Sequence, residues 1–128
     1  LILIYFIVFR ILPIPITPLM LIRDYPIQKD WMPISKMSKS VPLAVLTSED
    51  PKFFNHYGFD FESIRKVLES NKKGKKIRGA STVSQQTAKN MFLWPKRRWI
   101  RKGLEVPLSL LMETLWNKKR IMEVYLNI

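Results

Sequence analysis

Three features of this sequence predict a mostly α-helical domain. No segment alternates between apolar and polar residues with the period of two that a half-buried strand requires. Apolar residues recur instead at helical spacing, as in Phe61, Ile64, Val67 and Leu68, or Leu104, Leu108, Leu111, Met112 and Leu115. Ser, Asp and Asn precede these runs, where their side chains can cap free N–H groups. At 128 residues the chain supports one domain with a modest core.

Residues 1–9 are continuously apolar, and after Arg10 a second apolar stretch runs over residues 11–22. A spanning helix needs ~20 apolar residues. Arg10 at the centre of one would cost ~2.5–3.5 kcal/mol, and Pro13, Pro15 and Pro18 do not fit one regular helix. Residues 1–9 therefore read as the end of a membrane helix, and 11–22 as an irregular apolar collar at the membrane surface. A buried core strand is the alternative; a cleaved signal peptide lacks its small-residue cleavage site. Residues 23–39, with Pro26 and Pro33, read as an extended linker, leaving 40–128 as the domain. Residue 1 is not Met, and residues 124–128 still read as ordered structure, so the sequence is expected to be a segment of a longer chain.

Within 40–128, Ser40 is placed to cap a short helix that begins near Pro42 and passes Leu43, Ala44, Leu46 and Thr47 to Glu49. Asp60 caps a second helix, which ends in a basic loop over residues 70–76. Ser81 starts a third, running through Gln85, Gln86 and Lys89 until Trp94-Pro95 breaks it. A longer helix follows from about Trp99. Pro107 interrupts it, or marks where it really begins. Asn117 caps a last helix through Ile121, Met122 and Tyr125.

The formal charge of +12 calls for an anionic partner: nucleic acid, a lipid surface or a phosphorylated substrate. Eleven Lys or Arg and no Asp or Glu lie between Glu69 and Glu105, so the positive field is concentrated there. Without cysteine there are no disulfides, thiolate metal sites or Cys nucleophiles, and the lone His56 rules out a multi-His metal site within this sequence.

Three constellations could carry chemistry. In the stretch 49–60, Glu49 and Asp50 close a helix, and Phe53, Phe54, His56, Tyr57 and Phe59 follow. A carboxylate against such a surface is poorly solvated and can act as a base; the plainer reading is an exposed acidic turn beside core aromatics. In 78–90, Gly79 turns into a helix start carrying Ser81, Thr82, Gln85, Gln86, Lys89 and Asn90, a place that favours an anion. The plainer reading is an N-capped surface helix. Arg97, Arg101 and Glu105 recur every four residues, with Lys102 beside them. They read either as a pyrophosphate clamp, with Glu105 orienting the cations or holding a metal, or as a salt-bridged surface ladder. Together the three suit a reaction in which a carboxylate deprotonates a sugar hydroxyl while cations stabilise a departing pyrophosphate. Cleavage of a glycosidic bond would instead need a general acid.

These residues resemble a known family. Glu49-Asp50-x-x-Phe53-x-x-His56-x-Gly58-x-Asp60 is similar to the first signature of the family-51 peptidoglycan glycosyltransferases. Gly79-x-Ser81-Thr82-x-x-Gln85-Gln86-x-x-Lys89-Asn90 is similar to the second, and Arg101-Lys102-x-x-Glu105 to the third. Residues 119–127, Lys119 to Asn127, resemble the fourth. The stretch 94–119 looks most like the monofunctional biosynthetic transglycosylases of Gram-negative bacteria, as does the Pro-rich collar. The resemblance implies a lysozyme-like domain outside the bacterial inner membrane, on the periplasmic side of a single-pass anchor. It implies polymerisation of lipid II into β-1,4 glycan with inversion and release of undecaprenyl pyrophosphate.

By the same resemblance Glu49 is the base, Lys89, Arg97 and Arg101 hold the donor pyrophosphate, and Glu105 is a second essential carboxylate. Asp50, Phe53, His56, Gly79, Ser81, Thr82, Gln85, Gln86, Asn90 and Lys102 complete the substrate-binding set. No cofactor is required, with room left for a divalent cation, magnesium or manganese, at the pyrophosphate. The implied partners are lipid II, the growing glycan, the membrane and other cell-wall synthesis proteins. The fifth motif is absent, so the domain is expected to be C-terminally truncated and to lack part of its donor-site wall. Ala80 replaces a common glycine, and Pro107 is expected to shift the helix that carries Glu105.

Three rivals stand beside this reading. A lytic transglycosylase or lysozyme-like cleaver has no pyrophosphate to justify the basic belt. A nucleic-acid binder fits the charge, but not the apolar start or any nucleic-acid motif. A non-enzymatic membrane-surface protein explains the basic loop, but not Glu49 or Gln85-Gln86.

Overall fold

In the computed structural model, residues 1–23, 30–74, 80–95 and 99–128 are described, the side chain of Asn71 aside. They form seven helices: α1 (Ile2–Val8), α2 (Pro18–Ile22), α3 (Ser40–Glu49), α4 (Phe61–Lys72), α5 (Val83–Phe92), α6 (Trp99–Leu115) and α7 (Lys118–Asn127). Short 3₁₀ turns lie at Ile34–Lys36 and Phe53–Asn55, and no strand occurs among the described residues. The mostly helical expectation holds.

The core gathers on α5, which packs against α2, α6 and α7. Val83, Ala88 and Met91 of α5 meet Met112 and Trp116 at the end of α6, Ile121, Met122 and Val124 of α7, and Phe53. Burying a side chain the size of Met91 contributes about 2 kcal/mol. α5 is no surface helix: Ser84, Gln85 and Thr87 are buried along with its apolar residues. They are tolerated because each is hydrogen-bonded, Thr87 to the Val83 carbonyl at 2.7 Å and Ser84 to Glu113 at 2.5 Å.

Several boundaries differ from the sequence expectation. Ser40 is the first helical residue and not the cap; its hydroxyl pairs with that of Ser38 at 2.8 Å. Thr82, one residue beyond Ser81, caps α5. Its Oγ1 accepts from the Gln85 N–H at 3.2 Å, and Gln85 Oε1 accepts from the Thr82 N–H at 3.0 Å, a reciprocal capping box. Asp60 and Asn117 cap α4 and α7 as expected.

Pro107 neither interrupts α6 nor starts it. The carbonyl it leaves without a partner is that of Gly103, and both residues are exposed, so water satisfies the group. The buried stripe of α6 is Arg101, Glu105, Ser109 and Met112, while Leu104 faces solvent. In α4, Phe61 and Leu68 are likewise exposed, leaving its apolar stripe largely uncovered.

Among the described residues no helix is long and apolar enough to cross a membrane. The expected membrane-helix end packs on the domain through Phe6 and the collar through Ile14 and Leu19, while Leu1, Ile4, Ile7, Ile11 and Leu21 stay exposed. Trp116 Nε1 donates to the Phe6 carbonyl at 2.7 Å, and the Arg120 guanidinium donates to the carbonyls of Phe9 and Leu12. α7 also holds the segment before α3: Asn127 brackets the Met32 backbone at 2.8 and 2.9 Å, and Glu123 accepts from the Ile34 N–H at 2.8 Å. Residues 24–29 of the expected linker lie outside the described set.

Candidate functional site

Glu49 ends α3 and is exposed, which does not match the poorly solvated carboxylate expected from its aromatic neighbours. Of the aromatics that follow it, Phe54 and Tyr57 are exposed. Phe53 is fully buried and packs edge-on against Phe54 and His56. Glu49 instead faces α5, where Gln86 Nε2 donates to its Oε2 at 3.0 Å. Tyr125 of α7 lies close enough to feel its charge.

Asp50 points the opposite way, into the protein. Its carboxylate accepts from His56 Nε2 at 2.8–2.9 Å and from the Val83 N–H at 3.1 Å, at the positive end of α5. His56 Nδ1 accepts from the Gly58 N–H at 3.1 Å, which places the ring proton on Nε2. Gly58 turns the chain at φ +92°, a conformation that favours glycine, and its carbonyl accepts from Thr82 Oγ1 at 2.6 Å. Asp50, Phe53, His56, Thr82 and Gln85 thus form a buried frame that fixes α3 against the start of α5.

The frame has a second layer that sequence reasoning missed. Lys118 Nζ donates to Glu113 at 2.6 Å and to the His56 carbonyl at 2.5 Å, and it sits 4.5 Å from the Phe53 ring centroid. Ser84 donates to the same Glu113 oxygen. Glu113 and Lys118 lie on different helices, with no spacing that would pair them, so no local signal could have found them.

The opposite end of the site is cationic. Arg101 is buried, its Nη1 donating to the carbonyls of Trp94 at 3.2 Å and Pro95 at 2.9 Å. Glu105 is also buried, 3.5 Å from Arg101 Nε and 3.1 Å from Lys102 Nζ, so this is no surface ladder. Lys89, one turn beyond Gln86 on α5, is half-buried. Burial first, then the charge of Arg101, lowers its ammonium below the ordinary lysine value, against an opposing pull from Glu105. Asn90 adjoins it, also half-buried.

The two ends are joined. Gln86 Nε2 lies 3.5 Å from the Ser81 carbonyl, and Ser81 Oγ accepts from Lys102 Nζ at 2.9 Å. A polar line therefore runs from Glu49 through Gln86, Ser81 and Lys102 to Glu105 and Arg101. Gly79 and Arg97 lie outside the described residues.

No group of three or more Asp, Glu or His side chains that could hold a metal occurs among the described residues. In the cationic cluster, Glu105 Oε1 and Arg101 Nε are buried without hydrogen-bond partners. A single carboxylate oxygen beside three cationic side chains does not fit a divalent ion held by protein ligands alone.

The profile of the transglycosylase family matches residues 18–128. The chain is similar to a biosynthetic peptidoglycan transglycosylase of Bdellovibrio bacteriovorus, 50% identical over 97% of this chain and 53% of that protein. One from Caulobacter vibrioides is 52% identical over 94% of this chain and 54% of that protein. One from Marinomonas sp. is 53% identical over 94% and 53% respectively. The chain spans about half the length of the curated relatives it matches.

Proposed function

The chain belongs to the transglycosylase family, and from that premise we propose that it polymerises lipid II into β-1,4 glycan strands with release of undecaprenyl pyrophosphate. One observation carries this reading. An exposed carboxylate, Glu49, is joined by a continuous polar line to a cluster of Lys89, Arg101 and Lys102 around one buried carboxylate, Glu105.

In this reading the Glu49 carboxylate takes the proton of the acceptor's 4-hydroxyl. The freed oxygen attacks the anomeric carbon of the donor from the face opposite its pyrophosphate, inverting that carbon as the bond to pyrophosphate breaks. The negative charge that develops on the leaving group falls among Lys89, Arg101 and Lys102, with Arg97 assigned beside them by the family motif. Glu105 holds Arg101 and Lys102 in position. Charge neutralisation rests on these side chains, and a divalent cation, where used, arrives with the substrate's phosphates. A lytic or lysozyme-like cleaver, the rival enzyme, needs no such cluster.

The domain is read as lysozyme-like and seated on the outer face of the bacterial cytoplasmic membrane by a single-pass anchor. The exposed apolar side chains of the collar support that orientation. So do the bonds from Trp116 and Arg120, which tie Phe6, Phe9 and Leu12 to the domain. The remaining partners are the growing glycan and other cell-wall synthesis proteins.

The test is lipid II turnover by the full-length protein, wild type beside Glu49→Gln. The wild type is expected to make polymer and the variant to lose at least about 10²-fold, the lower end of a general base's contribution. Turnover by Glu49→Gln at the wild-type rate would sink the base assignment.

A further inference from the structure

Tyr125 reaches the site from behind. Its hydroxyl donates to Gln86 Oε1 at 3.4 Å, while Nε2 of the same amide donates to Glu49 at 3.0 Å and lies 3.5 Å from the Ser81 carbonyl. A glutamine amide can sit either way round, and these three partners select one orientation: oxygen to the phenol, nitrogen to the carboxylate. We propose that Tyr125 is a positioning residue for Glu49, acting through Gln86; the proposal rests on the reading of Glu49 as the base.

Tyr125 suits this task because its ring is packed against the core and its helix is capped by Asn117. The hydroxyl is therefore delivered by a rigid element. Burial first, and then the Glu49 charge, raise the phenol above its ordinary value, so it remains a donor across the neutral range. A donor on Oε1 also polarises the amide and strengthens the N–H that faces Glu49. Among the described residues, Gln86 of α5 donates to this carboxylate, Tyr125 of α7 lies within reach of its charge, and Glu49 has no ion pair.

Tyr125→Phe keeps the ring and removes only the hydroxyl. The amide then loses one of its three constraints, and the Glu49 carboxylate is held less firmly by its donor. The plateau kcat falls about three- to ten-fold, a fraction of the 10²–10⁴ that a general base contributes. KM stays within about two-fold, because Tyr125 is not itself in the substrate-binding set and Gln86 keeps its other two partners.

The experiment is a set of pH–rate profiles on the full-length wild type, Tyr125→Phe and Glu49→Gln, with the Tyr125 phenol titrated by NMR in wild type and Glu49→Gln. The proposal expects Glu49→Gln to be inactive, the Tyr125→Phe plateau kcat to fall about three- to ten-fold with KM little changed, and the phenol midpoint to fall when the Glu49 charge is removed. An inactive Glu49→Gln beside a Tyr125→Phe profile that superposes on wild type overturns the positioning role and leaves the base assignment standing. A fully active Glu49→Gln overturns both. A phenol midpoint that does not change overturns the link between the two residues.

Discussion

The two carboxylates at the ends of the site are held in opposite ways. Glu49 is exposed, at the last turn of a helix, with one amide donor. Glu105 is buried in the middle of a helix, between Arg101 and Lys102. An exposed carboxylate can exchange its proton with a substrate hydroxyl and then with water. A buried one between two cations is closed off from solvent and held in place by both attractions. The difference is one that residue type alone does not give, and it supports the roles proposed for them, Glu49 as the base and Glu105 as the residue that positions the cations.

Substituting both in parallel breaks the comparison most sharply. Glu49→Gln is expected to lose turnover while its melting temperature stays near wild type, since an exposed side chain carries little stability. Glu105→Gln is expected to destabilise by about 3 kcal/mol, because it leaves buried cations without their counter-charge; thermal melts read both. Equal stability losses would remove the distinction between the two ends.

Lys89 sharpens the cationic end. Lys89→Ala is expected to raise KM for lipid II about ten- to a hundred-fold, the scale of one charge-assisted hydrogen bond of roughly 1.5–3 kcal/mol. Its depressed ammonium predicts a pH signature. As pH rises through that lowered value the charge is lost, and KM climbs earlier than for an ordinary lysine. Lys89→Arg keeps its charge, so the alkaline limb should move to higher pH. An unchanged limb would remove Lys89 as its source.

The smallest effect lies at α4, away from both ends. Burial works against the Asp60 charge, but hydrogen bonds from the Ser63 hydroxyl and N–H, with Lys52 nearby, outweigh it and hold the carboxyl below its ordinary value. A lowered folded value means that its stabilisation is present above the unfolded value and is lost as pH falls through the folded one. Asp60→Ala should therefore cost about 1 kcal/mol at neutral pH, and less in acid. Denaturant melts at the two pH values check this, with turnover unaffected.

Legibility in the sequence followed how local each signal was. The caps at Asp60 and Asn117 depend on residues within three positions, and they were readable. The capping box at Thr82 was missed by one residue, because Ser81 is by itself the better cap and the reciprocal Gln85 bond selects Thr82. Periodicity misled where burial is polar. α4 has the cleaner apolar stripe and leaves Phe61 and Leu68 exposed, whereas α5, full of Ser, Gln and Thr, is the core. Pro107 looked like a break because its exposure, which lets water satisfy the Gly103 carbonyl, is not written in its neighbours.

By itself, then, the sequence determined helical content, the caps at Asp60 and Asn117, the concentration of positive charge, and the four motifs that mark the family. Those depend on residue type and on separations of a few positions. Only the tertiary structure decided which motif residues face outward. It turned Asp50 inward to His56 and Val83, made a frame of Thr82 and Gln85, and brought Tyr125 to Gln86 and Lys102 to Ser81. Those pairings join residues up to about forty positions apart. Their geometry comes from the packing of α6 and α7 against α5 and from the turn that follows α3, and no spacing within one helix can encode it.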